Sequence, residues 1–173
     1  MGCTDVPMRT YGRAIYCHTQ LGQLEEATMI YKKSRRALHH KMPMLEDYAY
    51  IIIFLALTGN FVRAKNILKK QLPYALAFDC EFHVQEFYIG VLFFLKILEL
   101  EGQTEIKLPT SIQLPVENKK GAFLIKDLIS FFEKEIERIA QLFNERNGND
   151  FYSGKKDIVL ALMKSRTKMN LKD

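Results

Sequence analysis

Asp79, His83 and Glu86 are spaced by four and three residues, which on a helix would bring three metal-ligating side chains to one side. Such trios also arise often on solvated helix faces. No other helical stretch supplies a matching pair of ligands, so no metal and no other cofactor is expected. His39 and His40 are adjacent, so on a helix their rings point apart and cannot form one site alone. The chain carries no GxxxxGK[ST] or GxGxxG phosphate loop, no HExxH and no GxSxG elbow. The expected activity is therefore binding, with no catalytic residues, and the chain reads as a non-enzyme.

Two basic stretches bear on what is bound. In KKSRRALHHK, Lys32 to Lys41, the side chains of Lys32 and Arg36 with one of the two histidines fall along one helix face. Lys33 and Arg35 stand beside them. Phosphate contacts need only that geometry, so a nucleic-acid-associated or peptide-responsive transcriptional regulator is the rival reading. Base-stacking aromatics are not interleaved, which favours a solvated outer face. Lys155, Lys156, Lys164, Arg166 and Lys168 read as a frayed basic tail. Arg146 to Asn149, followed by Asp150-Phe151-Tyr152, reads as a helix cap whose aromatic pair tucks into the core.

The elements that would position these residues are helices. The chain has 173 residues and is 48% hydrophobic, enough for one domain with a real core. Three cysteines, Cys3, Cys17 and Cys80, show neither a CxxC nor a zinc-ligand spacing, so reduced thiols in an intracellular, cytoplasmic setting are expected. A net charge of +5 permits an acidic partner without demanding one. The apolar runs from Ile51 and from Tyr88 are shorter than the roughly 20 residues that span a bilayer, so no membrane partner is expected. Met1-Gly2-Cys3 departs from a myristoylation start because position six is Val6. A first helix so close to Met1 also suits the C-terminal part of a larger protein.

Periodicity predicts helices from about Asp5 to Leu21, from Leu24 to His40, from Leu45 to Leu57, and from Phe61 until Pro73 ends or kinks the fourth. Glu81 to Leu100 reads as a long, almost wholly apolar helix. The clearest stripe is Ile125, Leu128, Phe132, Ile136, Ile139 and Phe143, within a helix from Ala122 to Glu145. Between these two lies a connector, 103–121, with two echoes, Ile106-Lys107-Leu108-Pro109 and Ile112-Gln113-Leu114-Pro115. Alternation and proline favour an extended crossing or small hairpin laid on the helical core. Ser153-Gly154 should open a last short helix from Lys155 toward Lys168.

The first four helices contain a repeat. At an offset of 37 residues Tyr11 pairs with Tyr48, Gly22 with Gly59, Ala27 with Ala64, Ile30 with Ile67, and Lys32-Lys33 with Lys69-Lys70. Gly at a short turn permits a positive φ, and Ala one turn into the second helix permits close approach. This pattern resembles the tetratricopeptide repeat family over Met8 to about Glu81. It departs in unit length, in Ile15 and Ile52 where Gly or Ala is usual, and in Ser34 and Gln71 where Ala is usual.

The resemblance implies an all-α fold of antiparallel helix-turn-helix repeats, an α-solenoid over 1–102, followed by the connector and C-terminal helices over 122–173 packed on the repeats. It implies a protein-interaction or scaffold module whose first helices line a concave groove for a peptide or helix. The groove positions carried over are Arg9, Gly12, Tyr16, Thr19 and Gln20, then Glu46, Ala49, Ile53, Ala56 and Leu57. They are mostly apolar and lack the Lys and Asn clamp with which chaperone-binding members hold a C-terminal carboxylate. A hydrophobic protein or peptide is thus the expected partner. The segments 81–100 or 122–145 filling the groove in cis, or a second copy of the chain, would also serve.

Overall fold

The computed structural model describes the backbone of residues 5–37 and 44–171, and the side chains of 10–35 and 44–171. The chain is predominantly helical. Its elements are α1 (Asp5–Gln20), α2 (Leu24–Ala37), α3 (Leu45–Leu57), α4 (Phe61–Leu76), α5 (Glu81–Leu100), β1 (Glu105–Lys107), β2 (Asn118–Lys119), β3 (Ala122–Leu124), α6 (Ile125–Asn147) and α7 (Phe151–Ala161). A 3₁₀ turn follows at Leu162–Ser165. His39, His40, Lys41 and the start Met1-Gly2-Cys3 lie outside the described residues.

Three helices end on the same device. Gly22, Gly59 and Gly102 have φ of +73°, +76° and +76°. In each case the Gly N–H and the next N–H close the last turn: Gly59 onto Ala56 O and Asn60 onto Leu55 O, with Gly22/Gln23 and Gly102/Gln103 repeating the pattern. These are paired closures that a residue without a Cβ adopts cheaply. The first two turns join α1 to α2 and α3 to α4 as short hairpins. The third leads into strand β1, and the chain returns along α5 only with α6.

α3 packs between α1 and α5, and α6 packs along α5 on another side. Small residues set the α3–α5 approach: Gly90 leaves its α5 backbone directly against Ala49 of α3. Every residue of α5 from Val84 to Leu98 except Lys96 is buried, so α5 is the central helix and its run of apolar residues needs no amphipathic stripe. Of the α6 stripe, Ile125 to Ile139 is buried and Phe143 is half-buried.

Three boundaries differ from expectation. Pro73 lies inside α4, which runs on to Leu76. A proline this close to the C-terminal end removes one backbone bond where few remain. Ala122 to Leu124 form β3 rather than the first turn of α6, because Phe123 and its neighbours are taken up by strand pairing. β3 is the middle strand of an antiparallel sheet ordered β1-β3-β2, with Ile106 opposite Phe123 and Asn118 also opposite it. Both echoes of the connector bury their apolar pair, Ile106 with Leu108 and Ile112 with Leu114, as alternation requires. Lastly, α7 begins at Phe151 and not at Lys155. Its first turn is capped from outside: Asn149 Oδ1 accepts from the Phe151 N–H (3.1 Å) and Asn144 Oδ1, at the end of α6, from the Tyr152 N–H (3.0 Å).

Beyond the 3₁₀ turn the chain is extended over 166–171 and crosses the end of α3. It is pinned there, not frayed: Thr167 N–H donates to Leu57 O, and Leu171 is buried.

Candidate functional site

Polar and aromatic groups of α1, α3 and α5 come together near the start of α7. On α3, Glu46, Tyr50, Ile53 and Leu57 step by four, three and four and so form one stripe down that helix. At its upper end Glu46 accepts a bond from the Tyr50 hydroxyl (3.0 Å) and an ion pair from Arg13 of α1 (3.3 Å). His83 Nδ1 of α5 stands 3.8 Å from the other Glu46 oxygen. The Tyr50 ring stacks on Tyr16 of α1, centroids 4.5 Å apart and 17° from parallel. Burial, and then the Glu46 carboxylate, push the Tyr50 hydroxyl pKa well above its ordinary value, so it stays a donor.

Beside this pair, Lys155 of α7 meets the buried Glu86 of α5. Three rings surround its ammonium: Phe82 at 5.0 Å, Tyr152 at 5.4 Å and Phe151 at 5.8 Å. Desolvation lowers the Lys155 pKa and the Glu46 charge partly restores it. The ion pair with the half-covering rings closes α7 onto α5.

The expected groove residues are unequally placed. Tyr16 is half-buried, Gln20 is exposed and Glu46 is partly exposed, so these form an accessible edge next to Arg13. Thr19, Ile53 and Leu57 are buried, as are Gly12, Ala49 and Ala56. Thr19 spends its hydroxyl on Ile15 O (2.6 Å). The side chains of Arg9 and Arg36 lie outside the described residues. The lower half of the stripe ends under the C-terminal segment: the 3₁₀ turn packs on α3 and Thr167 bonds Leu57 O. Neither α5 nor α6 fills a groove in cis, because α5 is the next helix in the row and α6 packs along its side. Helix α7 packs on α6 and α5, and the 3₁₀ turn with the segment after it reaches the end of α3.

Other sequence candidates separate. Asp79 precedes α5, whose N-cap is Cys80 in an extended conformation, so it never joins His83 and Glu86 on one helical face. His83 turns to Glu46 and Glu86 to Lys155, and among the described residues no three ligands converge. Asp79 instead borders a cavity of about 490 Å³ between the end of α4, the start of α5, Pro115 and α6. Arg138 spans its edge with carboxylates on both sides, Glu81 at 3.2 Å and Glu135 at 3.0 Å. Lys32, Lys33 and Arg35 are exposed on α2, away from the α7 face. Of the aromatic pair after Asn149, Tyr152 stacks on Phe143 at 4.7 Å while Phe151 is 62% exposed.

Sequence reasoning missed Arg13, Tyr50 and Lys155. Tyr50 carried a usable signal, since it lies one turn below Glu46 on the same face. Lys155 carried none that separates it from Lys156.

No helix among the described residues is long and apolar enough to cross a membrane. Compared with known proteins, the chain matches no family model, no curated protein and no solved structure at a significant level.

Proposed function

We propose that this chain is a non-enzymatic, tetratricopeptide-like helical-repeat domain that binds a protein segment on its α7 face. The glycine closures repeated at Gly22, Gly59 and Gly102, and the stacking of α1, α3 and α5, support the repeat architecture. The observation that carries the binding role is the Tyr16–Tyr50 stack. It is half-exposed, backed by the core, and its polar handle is already oriented by Glu46. Rigid aromatic area with a fixed hydroxyl is the kind of surface that anchors protein partners at small entropic cost. Arg13 and Gln20 form a polar rim beside it. The partner expected here is a protein segment with an apolar or aromatic anchor, not a nucleic acid.

The test is Tyr16→Glu in the full chain, with helicity and melting temperature verified, followed by comparison of proteins retained by wild type and variant. Loss of specific partners supports the role. An unchanged partner set with an intact fold overturns it. So does salt-sensitive retention of RNA or DNA that disappears with Lys32→Gln and Arg36→Gln, which would move the function to α2.

A further inference from the structure

The end of α3 holds an extended segment by its backbone. The Gly59 turn satisfies three of the last carbonyls: Phe54 O takes the Thr58 N–H, Leu55 O that of Asn60, and Ala56 O that of Gly59. The next two, Leu57 O and Thr58 O, accept instead from Thr167 N–H (3.1 Å) and Met169 N–H (3.0 Å). Asn60 Nδ2 then donates to the Met169 carbonyl (3.0 Å) and is itself held by Thr58 Oγ1 (2.9 Å). Donors two residues apart pointing one way belong to an extended strand. None of these bonds depends on the side chains of the bound segment. Selectivity comes from two neighbours. Glu101, at the end of α5, pairs with Arg166 (2.7 Å) and Lys168 (3.7 Å), and Leu171 is buried.

We propose that this seat is a docking site for an extended segment of a partner protein bearing two basic residues two apart and an apolar residue three further on. Residues 166–171 are its resident, which the partner displaces. The proposal rests on the α7 face being a protein-binding surface, and names the chemistry of what binds there. The seat offers backbone acceptors that any extended chain can use, as in strand addition, while Glu101 selects for positive charge. Of its two charged contacts, Arg166 is the firm one and Lys168 the loose one. Lys168 is 77% exposed, and such pairs add little in water. A tethered resident nevertheless competes at high effective concentration. A displacing partner therefore needs a second foothold, which the Tyr16–Tyr50 stack supplies further up the same α3 stripe.

The test uses the full chain and, as probe, a dye-labelled peptide of sequence SRTKMNL, residues 165–171, read by fluorescence anisotropy. In R166E/K168E the tail is repelled from Glu101, and hydrogen exchange at Thr167 and Met169 reports its release. The probe should bind this variant at least ten-fold more tightly than wild type, and adding Glu101→Lys should abolish the gain. If the charge variant does not fold, Met169→Pro, which removes a backbone donor at a partly exposed tail position, replaces it, with release read at the Thr167 amide. Equal binding to wild type and released variant overturns the proposal, as does no binding to a chain whose Thr167 and Met169 amides exchange freely. Failure of the probe with the partner set still dependent on Tyr16 removes the seat alone. Probe binding with a partner set indifferent to Tyr16 removes the upper foothold alone.

Discussion

A Cβ built on Gly90 of α5 would stand 2.9 Å from both the Cα and the carbonyl oxygen of Ala49 on α3. These are backbone atoms in the middle of two buried helices, so neither can yield without the helices separating. Gly90→Ala gains about 1 kcal/mol of helix propensity. Against this it meets an overpacking cost of about 1–3 kcal/mol. Chemical denaturation should show a net loss on the order of 1 kcal/mol, and Gly90→Val should lose more. A Gly90→Ala variant more stable than wild type would contradict the backbone contact.

Gly154 gives the opposite sign. It lies in the first turns of α7, and a Cβ there meets nothing within 4 Å. Gly154→Ala should raise stability by roughly 0.5–1 kcal/mol through the reduced freedom of the unfolded chain. A thermal melt that moves down would show that α7 is not helical at this position.

Lys155 and Glu86 should behave as a pair. Their side chains are 20% and 7% exposed, so removing the cation alone strands a buried carboxylate. Lys155→Met should cost on the order of 3 kcal/mol, and adding Glu86→Leu should recover most of it. The coupling is read from a double-mutant cycle in urea. Additive losses would mean that the two residues do not pair in solution.

Alkaline pH should unfold the domain through its tyrosines. Burial raises the pKa of Tyr16, Tyr48 and Tyr50, and pushes Tyr88 up to about 12, with Glu135 and Glu81 adding to its shift. The unfolded chain ionises these groups near 10, so between there and 12 it binds fewer protons than the folded chain. Stability therefore falls as pH rises through this window. Lys155 and Lys65, with their lowered pKa values, work in the other direction but are two groups against four. Absorbance at 295 nm should rise together with loss of helical signal. Stepwise ionisation of all eight tyrosines from pH 10 with the helices intact would contradict their burial.

Much of the helical architecture was legible because its signals are local. The α6 stripe from Ile125 to Ile139 is a period that one helix face explains by itself. Gly22 and Gly59 announce a positive φ through their own side-chain absence, and each echo of the connector buries its Ile and Leu by simple alternation. Misplaced boundaries arose where a neighbour in space overrides the local signal. Asn144, on α6, helps cap α7, and strand pairing claims Ala122 to Leu124 before α6 can begin.

By itself, then, the sequence determined a mostly helical chain and its two short glycine-closed hairpins. The tertiary structure alone decided which segments meet across the chain. Stacking of Tyr16 on Tyr50, closure of Lys155 onto Glu86, and the hold of Asn60 on Met169 across 109 residues each depend on where the chain returns in space. Periodicity and turn chemistry report the environment of a residue along its own helix. They carry no information on which distant segment completes it, and the candidate binding face is made of such completions.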